Sequence, residues 1–262
     1  PALAMGNTII FKPAEKAAAV GHALAACFDE ALRAEHAPSG VFNLIQGGAD
    51  IASALVSHDG LDGILFTGSW PVGRRIMEAN LDRPGRLLAL EMGGSNAAVI
   101  MPDAEPRQAV IECVRSAFIS TGQRCTCTRR LIVHQSVAGH FVSAIAKAAS
   151  NLIIGDPASS HPVFMGPLIS EQARDHVLDM QARLARRGGE IVVPSSVPPL
   201  PSEGWYLTPG IMKVERFEVG DDESAGAGRD VEIFGPFLRV STFRTLDEAI
   251  EQTHATRYGL AA

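Results

Sequence analysis

Cys125 and Cys127 stand two residues apart in "GQRCTCTRR", residues 122–130, flanked by arginines. Close sulfurs suggest three chemistries: half of a metal site, a disulfide, or a thiolate nucleophile. A zinc site wants four ligands, usually completed by a second Cys or His pair. No second C-x-x-C or H-x-x-x-H exists, and His134 stands alone in the strand-like "RLIVH". C-x-C is also too tight for an easy disulfide, so a nucleophile is the better reading and no metal is expected. A free thiol is only about 3% ionised at pH 7. Arg124 or the positive ring of a bound cofactor could raise that fraction, though Arg124 can equally point to solvent. Spacing alone does not say which of the two sulfurs reacts. The other cysteines, Cys27 and Cys113, fall on the apolar stripes of helical patterns, where packing is expected.

A carboxylate that activates water would complement such a thiol. Glu91, in "LEMGGSN", ends a strand among apolar and small neighbours. Burial there would desolvate it and raise its pKa, as a general base needs. A hydrogen-bonded structural Glu is the plainer alternative. Two strand-to-helix junctions have the makings of a nucleotide site. In "GSWPVG", Gly68 and Gly73 would let a phosphate approach the backbone. Ser69 would cap the helix or donate to the phosphate, and the helix start adds about half a positive charge. The alternative is an ordinary capped helix with Pro71 in its first turn. In "FKPAE", Lys12 and Glu15 lie where a ribose would sit, or simply begin a helix. In "EIFGPF", Glu232 and Phe234 alternate ahead of a Gly-Pro turn and can put a carboxylate and a ring on one ligand, or simply form a strand-turn-strand corner.

The positioning elements follow from periodicity. Short β-branched runs alternate with helical patterns from "NTIIF" to "RLLALEM", a βαβαβαβ order that implies a parallel sheet covered by helices. Ligands bind such sheets at the carboxyl ends of their strands. Val20, Leu24, Cys27, Phe28, Ala31 and Leu32 form the apolar stripe of the first helix. After Gly93-Gly94 the pattern restarts. "NAAVIM" reads as a strand and Asp103 as a helix cap. Residues 107–119 form a helix with Ala109, Val110, Cys113, Val114, Ala117 and Phe118 on one face. Further strands ("RLIVH", "EIVV", "WYLTPGIMKV", "EIFGPFLRVSTF") and helices continue to "TLDEAIEQTHAT". The fold class is therefore α/β, with a first domain at 1–92 and a second at 93–262. Segments 194–204 and 220–230 read as surface excursions.

The 262 residues are 46% hydrophobic and 20% charged, enough to bury a core. With 23 basic and 29 acidic residues the net charge is −6, which offers no attraction to nucleic acid. No apolar run reaches membrane-spanning length. Four cysteines make no disulfide framework. Both ends read as cut from a longer chain.

Taken in order, "PALAMGNTIIFKPAE", "FTGSWPVG", "LEMGGSN", "GQRCTCTRR" and "EIFGPF" resemble the NAD(P)-dependent aldehyde dehydrogenase superfamily over nearly the whole chain. Within it, "LLALEMGGSN" and "SAFISTGQRCTCTRRL" are most similar to the branch acting on N-succinylglutamate 5-semialdehyde in arginine catabolism. The resemblance implies a Rossmann-type cofactor domain, in part, followed by most of an α/β catalytic domain. It implies that Cys125 is the nucleophile and Glu91 the general base. Lys12 and Glu15 would hold the adenosine ribose, and Gly68, Ser69 and Gly73 would form the pyrophosphate turn. Glu232 and Phe234 would position the nicotinamide ribose and ring. The implied cofactor is NAD rather than NADP, because Glu15 would repel a 2′-phosphate. The implied substrate is a small aldehyde, oxidised through a thiohemiacetal and a thioester. A substrate with two carboxylates would want cations, for which Arg129 and Arg130 are near in sequence. The family's oxyanion Asn, oligomerisation hairpin and closing C-terminal segment are not matched within this chain. The implied full-length protein is a cytoplasmic homo-oligomer.

Overall fold

In a computed structural model, residues 1–200, 202–220 and 226–262 are described. Residues 221–225 of the 220–230 excursion, and residue 201 of the 194–204 excursion, lie outside them. The chain divides into two compact units, Pro1–Met92 and Gly93–Ala262.

The first unit holds strands β1 (Ile9–Phe11), β2 (Phe42–Leu44), β3 (Gly63–Thr67) and β4 (Leu87–Glu91). Helices α1 (Ala18–Ala34), α2 (Ala49–Ser57) and α3 (Trp70–Glu78) connect them. The order is the expected one, but the four strands do not form one sheet. They form two parallel pairs, β1 with β2 and β3 with β4.

Helix α1 also turns a different face inward than its strongest residues suggest. Gly21 and Ala25 are buried, and Phe28 stacks on Phe42 of β2 with ring centroids 4.7 Å apart. Val20 and Leu24 are exposed, and Cys27 is exposed rather than packed in a core. The cause is steric. A Cβ on Gly21 would come within 2.5 Å of Pro13, so the helix approaches its neighbour through its smallest residues.

The second unit is built on a five-stranded sheet in the order β5-β6-β9-β8-β7. Its strands are β5 (Asn96–Ile100), β6 (Thr128–His134), β7 (Glu190–Val193), β8 (Gly210–Lys213) and β9 (Phe237–Phe243). Only β7 runs antiparallel. Helices α4 (Pro106–Phe118) and α5 (Gln135–Ser150) cover one face. Helices α6 (Glu171–Arg186) and α7 (Leu246–His254) cover the other. Both faces being covered, the central strands β6 and β9 are almost continuously buried. Their side chains alternate between two cores. Leu131, Val133, Leu238 and Val240 meet Val114, Phe118 and Ile145, whereas Ile132 and Phe237 meet Val177, Leu184 and Leu207. The stripe read on α4 is the buried one, but its cap is Glu105, not Asp103. The Glu105 carboxylate accepts from the N–H groups of Arg107 and Gln108. His134 ends β6 and caps α5.

Three arginines inside this unit donate to backbone carbonyls, although Arg129 Nε finds no partner among the described residues. Arg239 is fully buried and donates to the carbonyls of Ala227, Arg229 and Val231. Its burial, with Arg130 nearby, pulls the guanidinium down to about 9, so it is still charged at neutral pH. Arg130 donates to Ser95 O (2.7 Å), Gln252 O (2.6 Å) and Thr253 O (2.8 Å). The last two belong to the final turn of α7, where a cation also suits the helix dipole. Arg129 is described with the site. Among the described residues, no helix is long and apolar enough to cross a membrane. Replacing Arg130 with Met would strand several carbonyls at once, and Arg130→Met is expected to lower unfolding stability by at least about 3 kcal/mol. Urea denaturation of the wild type and variant checks this.

Candidate active site

The cysteine loop begins where α4 ends. Ser120, Thr121 and Gly122 take positive φ values of 53°, 56° and 67° in succession. Two of these are not glycine, and each such residue costs about 1–3 kcal/mol unless its surroundings hold it. Here they do. The Thr121 hydroxyl donates to Gly166 O at 2.9 Å, and Gln123 Oε1 accepts from the Ile169 N–H at 2.9 Å. Gly122 is obligatory on two counts. Its φ favours glycine, and a Cβ there would sit 2.1 Å from Gly235 O.

This left-handed turn delivers Cys125 half-buried and Cys127 at 2% exposure. Cys127 Sγ lies 4.0 Å from Ile119 O, packed under the turn. The structure thus separates two sulfurs that spacing could not. Asn96, the first residue of β5, holds the loop from below. Its Nδ2 donates to Cys125 O (2.7 Å) and Cys127 O (2.9 Å), while its Oδ1 accepts from the Ala261 N–H (3.1 Å). Asn96 stood in the quoted "LEMGGSN", yet nothing in the sequence marked it as the support of the cysteine loop.

Arg129, on β6, is the second missed support. Its Nη1 donates to Gly235 O (3.1 Å) and its Nη2 to Arg124 O (3.0 Å), and the guanidinium lies 5.4 Å from the Phe234 ring centroid. Burial pulls Arg129 below its ordinary value, opposed by Cys127, Glu232 and Cys125. Arg129 and Arg130 are therefore not pocket cations for a substrate carboxylate, since both are 2% exposed and committed to backbone carbonyls. Of the neighbouring arginines, Arg124 is the exposed one.

Glu232 and Phe234 precede β9 in irregular backbone. Phe234 is 42% exposed, and Glu232 Oε1 accepts from the Gly94 N–H at 3.1 Å. Gly93 (φ 73°) leaves no room for a Cβ, which would fall 2.4 Å from Glu232 Oε2. Burial raises the Glu232 carboxyl above the ordinary range, with the Gly94 N–H and Arg129 pulling it down. In this unit the candidate residues gather at the amino ends of β5, β6 and β9, not at the carboxyl ends. The reason is local. The cysteine loop joins the end of a helix to the start of a strand.

In the first unit the carboxyl ends are the ones occupied. Gly68 and Glu91 follow one another across the β3–β4 pair, and the Gly68 N–H donates to Glu91 O at 2.9 Å. Glu91 itself is exposed, so the expected desolvation is absent. A strand paired on one side and uncovered at its tip leaves the carboxylate in water. Ser69 occupies the cap position of α3, but its hydroxyl makes no cap bond. Gly73 is buried, and a Cβ on it would meet Met92 Sδ at 2.1 Å, so it serves the packing of α3 on β4. Beyond β1 and β2, Lys12 Nζ donates to Pro13 O (3.0 Å) and Gly47 O (2.9 Å), which leaves one of its three donors. The exposed Glu15 carboxylate lies beside Gly48, 3.1 Å from where a Cβ would be. A spare ammonium donor, an open carboxylate and an uncapped helix start fit a dinucleotide's ribose and phosphates. Among the described residues, no group of three or more His, Cys, Asp or Glu could hold a metal ion.

Two measurements follow from this geometry. Brief iodoacetamide treatment with peptide mass mapping should label Cys125 and Cys27 and spare Cys127 and Cys113. Burial pushes the Cys113 thiol up to about 11, which removes its thiolate as well. Second, a carboxyl whose folded pKa is raised contributes stability fully present below the unfolded pKa and lost as pH rises through the folded one. Glu232→Gln should therefore gain stability relative to wild type as pH rises above the ordinary carboxylate range, about pH 4, read from paired thermal melts at a series of pH values.

The sequence pattern of the aldehyde dehydrogenase family matches residues 1–262. The chain is 38% identical over 262 residues to N-succinylglutamate 5-semialdehyde dehydrogenase of Sphingopyxis alaskensis, covering 100% of this chain and 52% of that protein. It is similar to glyceraldehyde-3-phosphate dehydrogenase GapN from Methanocaldococcus jannaschii complexed with NADP, with TM-score 0.88 and 27% identity. That match covers 100% of this chain and 54% of the other. It is likewise similar to betaine aldehyde dehydrogenase from Staphylococcus aureus in complex with NAD+, with TM-score 0.86 and 26% identity over 99% of this chain and 50% of the other. The chain spans about half the length of these relatives. With its α/β units and a family match from end to end, this chain belongs to the aldehyde dehydrogenase family.

Proposed function

We propose that the protein oxidises an aldehyde to a carboxylate with Cys125 as nucleophile and Glu91 as general base. The observation that carries this reading is the half-exposed Cys125, held at both flanking peptides beside a buried Cys127. The first unit, 1–92, is the dinucleotide-binding part and the second, 93–262, the catalytic part. Lys12 and Glu15 hold the adenosine ribose, and the Gly68–Ser69 turn at the start of α3 holds the pyrophosphate. Gly73 acts behind that turn, by letting α3 pack closely. Glu232 and Phe234 hold the nicotinamide ribose and ring. Glu15 favours NAD, because its carboxylate accepts from both ribose hydroxyls and repels a 2′-phosphate.

When bound, the nicotinamide dinucleotide supplies the acceptor for the hydride that leaves the substrate carbon. The chain's own residues do the rest. The Cys125 thiolate attacks the aldehyde carbon and makes a thiohemiacetal, whose oxyanion needs N–H donors. Once oxidised, that carbon is held as a thioester on Cys125. Glu91 takes a proton from the water that cleaves it. Its exposure leaves the carboxylate open to the water that it must activate.

The favoured substrate is N-succinylglutamate 5-semialdehyde, supported by the name of the Sphingopyxis relative and by the sequence of the cysteine and Glu91 segments. The alternatives are another semialdehyde or aldehyde as substrate, or a nucleotide-binding fragment without activity of its own. The full-length protein is proposed to be a cytoplasmic homo-oligomer. NADH formation over a panel of semialdehydes, with NAD and NADP compared, tests the substrate and cofactor together. Cys125→Ser should lose at least about a thousandfold in turnover, whereas Cys127→Ser should retain it. Glu91→Gln should accumulate the acyl-thioester, seen as a mass increase on the Cys125 peptide. Activity surviving in Cys125→Ser and lost in Cys127→Ser would reverse the assignment.

A further inference from the structure

We infer that Arg129 is a positioning residue: its guanidinium fixes the peptide between Arg124 and Cys125, aims the Cys125 N–H at the reacting oxygen, and ties that peptide to the loop of Glu232 and Phe234. The inference rests on Cys125 being the nucleophile. Its basis is the hydrogen-bond pattern around one peptide unit. Arg124 O accepts from Arg129 Nη2 at 3.0 Å and from the Cys127 N–H at 3.2 Å, so both of its lone pairs are used. Among the described residues no peptide bond is cis, and in a planar trans peptide the C=O and N–H point in opposite directions. Drawing Arg124 O inward therefore turns the Cys125 N–H outward. That N–H has no hydrogen-bond acceptor among the described residues. On the other side of the sulfur, Asn96 Nδ2 holds Cys125 O at 2.7 Å. Both peptide planes that flank the nucleophile are thus pinned from beneath by buried side chains.

The same guanidinium reaches in the other direction to Gly235 O at 3.1 Å and stacks near Phe234. A planar fork is what makes this possible, because two nitrogens donate to two backbone segments at a fixed separation. The geometry matters because the preceding turn is strained, with three residues in succession at positive φ. Without a restraint downstream, Arg124 and Cys125 would be free to rotate and relieve it. Lysine keeps the charge but ends in one nitrogen, so it cannot reproduce the spread of the two guanidinium nitrogens that meet these two carbonyls from different sides.

Three rates separate positioning from simple stability. Aldehyde oxidation needs the thiolate, the oxyanion donor and the cofactor ring. Hydrolysis of p-nitrophenyl acetate dispenses with the cofactor ring: the thiolate displaces p-nitrophenolate, and water activated by Glu91, as in the oxidation, then cleaves the acetyl-thioester. Alkylation of Cys125 by iodoacetamide makes no oxyanion and needs only the thiolate. In Arg129→Lys, oxidation and ester hydrolysis should both fall about tenfold or more, with alkylation within about twofold of wild type and KM for the aldehyde little changed. Ester hydrolysis at the wild-type rate, or ester hydrolysis and alkylation falling in parallel, would overturn the inference. Arg129→Gln, which keeps one donor, is measured alongside so that a misfolded lysine variant leaves no gap; circular dichroism confirms which variants fold. If Cys125→Ser hydrolyses the ester like wild type, the nucleophile assignment itself fails. If it does not, and the Arg129 variants behave normally, only the present inference fails.

Discussion

A guanidinium in a dry interior must find acceptors, and in the second unit of this protein those acceptors are backbone carbonyls. Arg129, Arg130 and Arg239 sit on two adjacent central strands, are nearly or wholly buried, and between them bind carbonyls of the cysteine loop, the Glu232–Gly235 loop, the β5 approach and the end of α7. Leaving a buried charge or carbonyl unpaired costs several kcal/mol. The loops around the strand ends therefore cannot move independently of the sheet. A fixed donor in the sheet sets where each irregular segment lies.

The candidate site follows from this constraint. A left-handed turn of Ser120, Thr121 and Gly122 is unfavourable alone, yet it lets Cys125 emerge half-exposed while Cys127 goes under. Its cost is offset by the hydrogen bonds of Thr121, Gln123, Asn96 and Arg129. Two glycines then remove the last steric obstacles: Gly122 against Gly235, and Gly93 against Glu232. Support comes from the sheet, and the candidate residues stand on the loops it holds, the division expected where precision is needed in irregular backbone.

The order of elements was legible because periodicity is a local property. Residues 107–119 alternate at helical spacing, and the observed α4 buries that same face. The failures are equally physical. On α1 the large apolar residues marked one stripe, but contact distance chose Gly21 and Ala25, and Cys27 was left outside. Glu91 looked desolvated because its sequence neighbours are apolar, yet solvation depends on what covers it in space. Arg129 and Arg130 looked like pocket cations because arginine usually faces water. Their burial could not be read without knowing that carbonyls waited on both sides of β6.

From sequence alone came the α/β alternation, the restart after Gly93-Gly94 and the membership of a family, since each rests on residue type and order along the chain. Tertiary structure decided which cysteine is reachable, which arginines are committed, and that Asn96 and Arg129 hold the peptides on either side of Cys125. Those outcomes depend on residues some thirty to more than a hundred positions apart meeting at hydrogen-bond distance. No local pattern encodes such a meeting; only the packing of strands and loops creates it.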